Sequence, residues 1–147
     1  MCGRFDRHRT ISSFTKIFGD FLPTDDINLS PSYNISPSNF AAVLCNLNGD
    51  LKILSARWGF VPEWARELNK PKPINARAET ILHKSMFKES MVRRRCLVLC
   101  DGYFEWKVQK DGSKQAYYIS QLDGKPFFLG GIWSKNNLSK NSSIQTF

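Results

Sequence analysis

The sequence predicts an α+β fold, built mainly on an antiparallel sheet with a few short helices packed outside it. Three observations carry that reading. Short apolar stretches follow one another through Gly-containing turns, the pattern of sequential antiparallel strands. Asn48-Gly49-Asp50 separates the apolar stretches Phe40–Leu47 and Leu51–Ala56, a strong hairpin signal. Helical spacing is confined to two short segments.

In order along the chain, Ile11, Phe14, Ile17 and Phe18 recur at helical spacing behind a possible cap at Thr10, and Gly19 ends that helix. Residues 20–38 hold Pro23, Pro31 and Pro37 among Asp, Asn and Ser and read as an ordered loop. After the hairpin, Arg57–Trp64 is too irregular for either periodicity and reads as a loop or short helix carrying two tryptophans. A Lys-Pro tail over 70–73 leads into Ile74–Thr80. Residues 79–92 look helical in one or two pieces, anchored by Ile81, Met86, Phe87 and Met91, and the run Arg93-Arg94-Arg95 closes them. Arg95–Cys100 reads as a central strand, Asp101-Gly102 as a bend, and Tyr103–Val108, Gln115–Ser120 and Pro126–Trp133 as further strands joined by turns at 110–113 and 122–125. Asn136–Ser143 reads as a polar turn. In Ile144–Phe147 the apolar-polar alternation restarts only as the sequence stops, so the expectation is one domain over 1–147 that is incomplete at its C-terminal side.

The 147 residues suffice for one domain with a real core, and 41% hydrophobic with 23% charged residues is ordinary for a soluble globular protein. No run approaches the roughly 18 apolar residues of a membrane span, and no signal peptide is visible, so no membrane partner is expected and the cytoplasm is the expected compartment. The net charge of +8 makes nucleic acid the first partner to consider. Cys2, Cys45, Cys96 and Cys100 form no C-x-x-C pair, which argues against a zinc site; Cys96 and Cys100 read as buried strand cysteines, and no metal or cofactor is called for.

Chemistry concentrates at Met1-Cys2-Gly3-Arg4. The small second residue favours removal of Met1, which would give Cys2 a free α-amine beside its thiol. This 1,2-aminothiol can condense with an aldehyde to an imine and close a thiazolidine ring. Reference pKa values of about 8 for the amine and about 8.5 for the thiol leave both open to activation by a modest perturbation. Glu105, in Gly102-Tyr103-Phe104-Glu105-Trp106, shares a strand face with Tyr103; in a partly closed pocket it suits general acid–base work, and otherwise it is a solvent-facing carboxylate. Asn75 and Arg77 alternate, so an extended chain would aim both one way. Arg4, Arg57, Arg77 and Arg93–Arg95, interleaved with Trp58, Phe60 and Trp64, form the mixture that holds single-stranded nucleic acid, although at least one of the tryptophans is expected in the core.

These segments together resemble the SRAP family, named for SOS-response-associated peptidase. The resemblance rests on Met1-Cys2-Gly3-Arg4-Phe5, Tyr33-Asn34-Ile35-Ser36-Pro37, Arg57-Trp58-Gly59-Phe60-Val61-Pro62, Asn75-Ala76-Arg77-Ala78-Glu79-Thr80, Arg95-Cys96-Leu97 and Gly102–Trp106, in the expected order over the whole chain. It implies an open, distorted barrel with a positively charged groove, monomeric in the family, that senses abasic sites in single-stranded DNA through a covalent thiazolidine link. By matching position, Cys2 is the attachment point, Asn75 orients the Cys2 amine or the sugar, and Glu105 is the acid–base. Arg4 and Arg77 hold phosphates, and the Trp58–Trp64 loop borders an unstacked base. The family's histidine, in a His-x-Arg-Met-Pro motif downstream of the Glu105 strand, has no counterpart here. A cysteine peptidase and a non-catalytic single-strand binder are the rival readings.

Overall fold

A computed structural model describes residues 2–19, 22–23, 30–65, 72–139 and 142–147. Eleven strands and two helices follow one another among them: β1 (Phe5–Arg7), α1 (Ile11–Phe18), β2 (Leu22–Pro23), β3 (Ser32–Ile35), β4 (Phe40–Leu47), β5 (Asp50–Arg57), α2 (Ser85–Arg93), β6 (Arg95–Cys100), β7 (Gly102–Val108), β8 (Lys114–Ile119), β9 (Phe127–Ile132), β10 (Ser134–Ser139) and β11 (Ser142–Thr146). The fold is α+β and mainly antiparallel, as expected.

Two sheets share the strands. The smaller runs β3-β1-β7-β8, and the larger runs β10-β11-β5-β4-β6-β9, with β2 also beside β5. Only β11 and β2 pair with β5 in parallel, over one and two residue pairs. The chain passes from one sheet to the other at Asp101, the single residue between β6 and β7.

The β4–β5 hairpin keeps full register from Phe40↔Arg57 to Leu47↔Asp50. Asn48 (φ 57°) and Gly49 (φ 100°) both adopt positive φ, as a two-residue hairpin turn with the strands' twist demands. β4 is apolar without alternation because both its faces are covered. Ala41, Val43 and Cys45 face a core shared with Phe5, Ile35, Cys96, Val98 and Cys100 between the sheets. Ala42 and Leu44 face Phe14, Ile53 and Leu99 beneath α1. The third cluster, Phe60, Phe87 and Ile132, seats α2 and also receives Ile81.

Three expectations need correction. Part of the 20–38 segment lies outside the described residues, but Ser32–Ile35 is a strand, not loop, since Phe5↔Ile35 and Arg7↔Ser32 pair it to β1. Helix α2 begins only at Ser85, and Ile81 packs from turns that precede it. The supposed polar turn at 136–143 contributes instead to β10 and β11, which pair antiparallel from Ser134↔Thr146 onward. Their polar composition hid them. Asn136 and Thr146 are both about 1% exposed, yet both are hydrogen-bonded, so a buried strand there carries no apolar signature.

A polar clasp ties β1 to β7 and β8. The Tyr118 hydroxyl donates to Asp6 Oδ1 (2.9 Å), while His8 Nδ1 lies 2.6 Å from Asp6 Oδ2 and its ring stacks on Tyr33. Asp101, fully buried, accepts from the Arg9 backbone N–H (2.9 Å) and from its guanidinium. Gly102 is required here, because a Cβ would come within 2.2 Å of the Tyr118 ring.

Gly102→Ala is therefore expected to cost about 1–3 kcal/mol by overpacking, and much less in a Tyr118→Ala background; urea unfolding of the two pairs measures the coupling. Burial pushes the Cys45 thiol up to about 11 and Cys96 to about 12. The native state therefore holds protons that the unfolded chain releases from about pH 8.5. This contribution to stability is complete below that pH and is lost as pH rises toward 11–12. Urea midpoints should fall across that window, with a shallower fall in Cys96→Val.

Candidate functional site

The site is assembled on the amino-terminal side of β1. The Arg4 carbonyl accepts the Phe104 N–H at 2.8 Å, which extends the β1–β7 pairing past Phe5↔Tyr103 and brings Cys2 toward the strand that carries Glu105. The Cys2 thiol donates to the same carbonyl at 3.5 Å. Glu105 is half-buried, and its charge is felt at the Cys2 sulfur.

Asn75 reaches Cys2 from a separate segment, with its Nδ2 donating to the Cys2 carbonyl at 2.8 Å. That segment is held by Trp58, whose indole N–H donates to the Ile74 carbonyl (2.8 Å), and by Phe60, whose N–H donates to the Pro73 carbonyl (2.9 Å). Between them Gly59, at φ 127°, turns the chain where other residues would be strained, and its N–H donates to the Phe147 carbonyl. Three residues distant in sequence, Cys2, Asn75 and Glu105, are thus brought near one another.

With Met1 in place, the surroundings of the Cys2 thiol push it up rather than down. Burial raises the Cys2 pKa above its ordinary value; the hydrogen bond to the Arg4 carbonyl lowers it, and the Glu105 charge raises it. Cys2 is nevertheless the accessible thiol, since Cys45, Cys96 and Cys100 are all buried.

The proposed contact residues divide. Arg4 is partly buried and donates through Nη1 to Asn34 Oδ1 at 2.8 Å, so β3 aims its guanidinium. Arg77 is exposed in the segment that carries Asn75. Trp64 is 59% exposed, whereas Trp58 is 4% exposed, packed edge-on against Phe5 and stacked on Phe147. Trp58 therefore has no open face for a base, and its part is to position Asn75. Within the arginine run, Arg94 is committed to Glu63 and, at 3.6 Å, to Glu89. Arg93 and Arg95 are exposed.

Sequence reasoning missed Asn136 and Thr146. Asn136 Nδ2 faces the carbonyls of Pro62, Glu63 and Ala65 at 2.8–3.2 Å, and Thr146 Oγ1 accepts the Val61 N–H at 3.0 Å. Together they fix the loop that presents Trp64, and no local pattern in a run of Ser, Asn and Lys marks them out. Asp6, His8 and Asp101 place one ligand atom each within 4.8 Å of one another, but Arg9 and Tyr118 already occupy the two carboxylates. Beside Cys2 and Asn75 opens a cavity of about 510 Å³ with mainly apolar walls, among them Ile74, Ile81, Val98 and Leu129. Among the described residues no helix is long and apolar enough to cross a membrane.

The family model described as SOS response associated peptidase (SRAP) matches residues 1–147. Abasic site processing protein YoqW of Bacillus subtilis is 32% identical over 149 residues, covering 99% of this chain and 66% of its own. Abasic site processing protein YedK of Escherichia coli is 33% identical over 138 residues, covering 91% of this chain and 60% of its own. A crystal structure of a Bacteroides thetaiotaomicron protein superposes with a TM-score of 0.82 at 23% identity, covering 99% of this chain and 66% of that one, a likeness of fold. The chain thus spans slightly less than two thirds of the length of YoqW.

Alkylation by iodoacetamide should modify Cys2 ahead of the three buried thiols. In the chain that retains Met1 its rate should rise with pH to a midpoint above the roughly 8.5 of free cysteine, and Glu105→Gln should move that midpoint down by removing a negative charge. Mass spectrometry of tryptic peptides reads both, and a midpoint below free cysteine's contradicts the assignment.

Proposed function

The chain belongs to the SOS response associated peptidase (SRAP) family, and on that premise we propose that it captures abasic sites in single-stranded DNA covalently through Cys2. The observation that carries the reading is the convergence of Asn75 and Glu105 on the accessible cysteine. The relatives' names, abasic site processing proteins, support the substrate class.

Removal of Met1, which lies outside the described residues, frees the Cys2 α-amine. The amine attacks the aldehyde carbon of the ring-opened sugar, water leaves, and the thiol adds across the imine to close the thiazolidine. Glu105 protonates the sugar-ring oxygen as it opens and takes up protons from the attacking amine. Asn75, bonded to the Cys2 carbonyl, fixes the residue's orientation so that the amine meets the aldehyde in line. Arg4 and Arg77 hold flanking phosphates, and Trp64 offers an exposed ring to a neighbouring base.

Asn75 on the Cys2 carbonyl and the half-buried Glu105 set an amide and a carboxylate beside the residue's backbone end, where they serve the amine, which favours this reading over a protein-directed cysteine peptidase. Burial of the thiol points the same way. A peptidase needs the thiolate as first nucleophile at neutral pH, whereas here the amine acts first and the thiol closes the ring afterwards.

Incubation with a single-stranded oligonucleotide bearing one abasic site should yield an SDS-stable adduct whose mass equals protein without Met1 plus DNA minus one water. Cys2→Ala should abolish it. Glu105→Gln should slow it about 100-fold, the scale of general acid–base catalysis, and Asn75→Ala about 10-fold through lost orientation. An undiminished adduct in Cys2→Ala would overturn the proposal.

A further inference from the structure

The site around Cys2 has two sides of opposite character. Arg4, Arg77 and Trp64, the groups suited to a polyanion, line no part of the cavity of about 510 Å³, and neither does Glu105. Cys2 and Asn75 do, and Arg95 is the one charged side chain that joins them. The remaining walls come from the side chains around Phe60, Phe87 and Ile132 and from the face of β6 and β9 around Val98 and Leu129. Beyond Cys2, Asn75 and Arg95 a sugar-phosphate chain finds little to bind there. Its volume is that of a small-molecule pocket, and its composition, apolar walls with a few convergent polar groups, is what such pockets show.

We propose that this cavity admits the hydrocarbon part of a free apolar aldehyde whose carbonyl meets Cys2, so that the protein also traps aliphatic aldehydes. The inference rests on the aminothiol reading given above, which supplies the reacting group. The Cys2 amine nitrogen bonds to the carbonyl carbon, and the oxygen departs as water. The thiol sulfur then bonds to the same carbon, and its proton passes to the nitrogen. The product is a 2-alkyl thiazolidine, the sum of protein and aldehyde less one water, with no change of oxidation state. Asn75, donating to the Cys2 carbonyl, holds the reacting residue at the cavity. The alkyl chain lies along Ile74, Ile81 and Leu129.

Burying a methylene is worth enough to change affinity about fourfold. The test takes the full chain lacking Met1, verified by intact mass, and straight-chain aldehydes from propanal to nonanal at equal dilute concentration. Adduct formation is followed by mass, beside the free tetrapeptide Cys-Gly-Arg-Phe and an abasic oligonucleotide. Capture efficiency should rise about fourfold per added methylene until the cavity is filled, while the tetrapeptide shows no such trend. Ala78→Trp, placed at an exposed wall residue, should flatten the dependence and leave propanal and DNA capture unchanged. Leu82→Trp, at another exposed wall position, repeats the test independently. A flat dependence in the unaltered chain with DNA capture intact overturns this inference alone, as does a dependence that survives both tryptophans. Failure with every aldehyde and with DNA overturns the aminothiol reading and this inference together.

Discussion

The hydrogen bond from the buried Trp58 indole to the Ile74 carbonyl is the contact on which the site depends. Trp58 follows directly on β5, packs on Phe5 of β1 and stacks on Phe147 beyond β11, so one ring touches both sheets. Its N–H reaches the segment that carries Asn75, and a buried indole donor left without an acceptor is costly. The position of Asn75, and through it that of Cys2, is therefore set by the core rather than by surface contacts. An amide on an exposed segment thus gains the rigidity of the sheet beneath it.

The second constraint is the passage of the chain from β6 to β7. Asp101 makes the corner with its backbone N–H on the Asp6 carbonyl and its carboxylate on Arg9. Buried carboxylates are tolerable only when fully bonded, and the clasp of Arg9, His8 and Tyr118 meets that need. Glu105 lies four residues beyond the corner. A shift at Asp101 would move the carboxylate relative to Cys2, so polar bonds far from the thiol fix the geometry at it.

Much of this was legible in the chain itself. Asn48-Gly49 names its hairpin because only certain residues take two successive positive φ values cheaply. Ile11, Phe14 and Gly19 name α1 for similarly local reasons. The convergence of Cys2, Asn75 and Glu105 followed from a resemblance of motifs, since no single segment contains the geometry. Other features were hidden because their cause is tertiary. Asn136 and Thr146 are polar yet buried, so their strands look like loop until the carbonyls they serve are known. Trp58 and Trp64 are chemically alike, and only the surroundings make one core and the other surface. The upward direction of the Cys2 perturbation was hidden for the same reason, because burial is a property of the assembled fold.

That burial has a consequence for durability. Peroxides attack the thiolate, and a cysteine held as its thiol enters the path toward sulfenic and sulfinic acids slowly. A thiolate at Cys2 would be open to that attack at once. The partly shaded sulfur, hydrogen-bonded to the Arg4 carbonyl, is slower to oxidise for that reason.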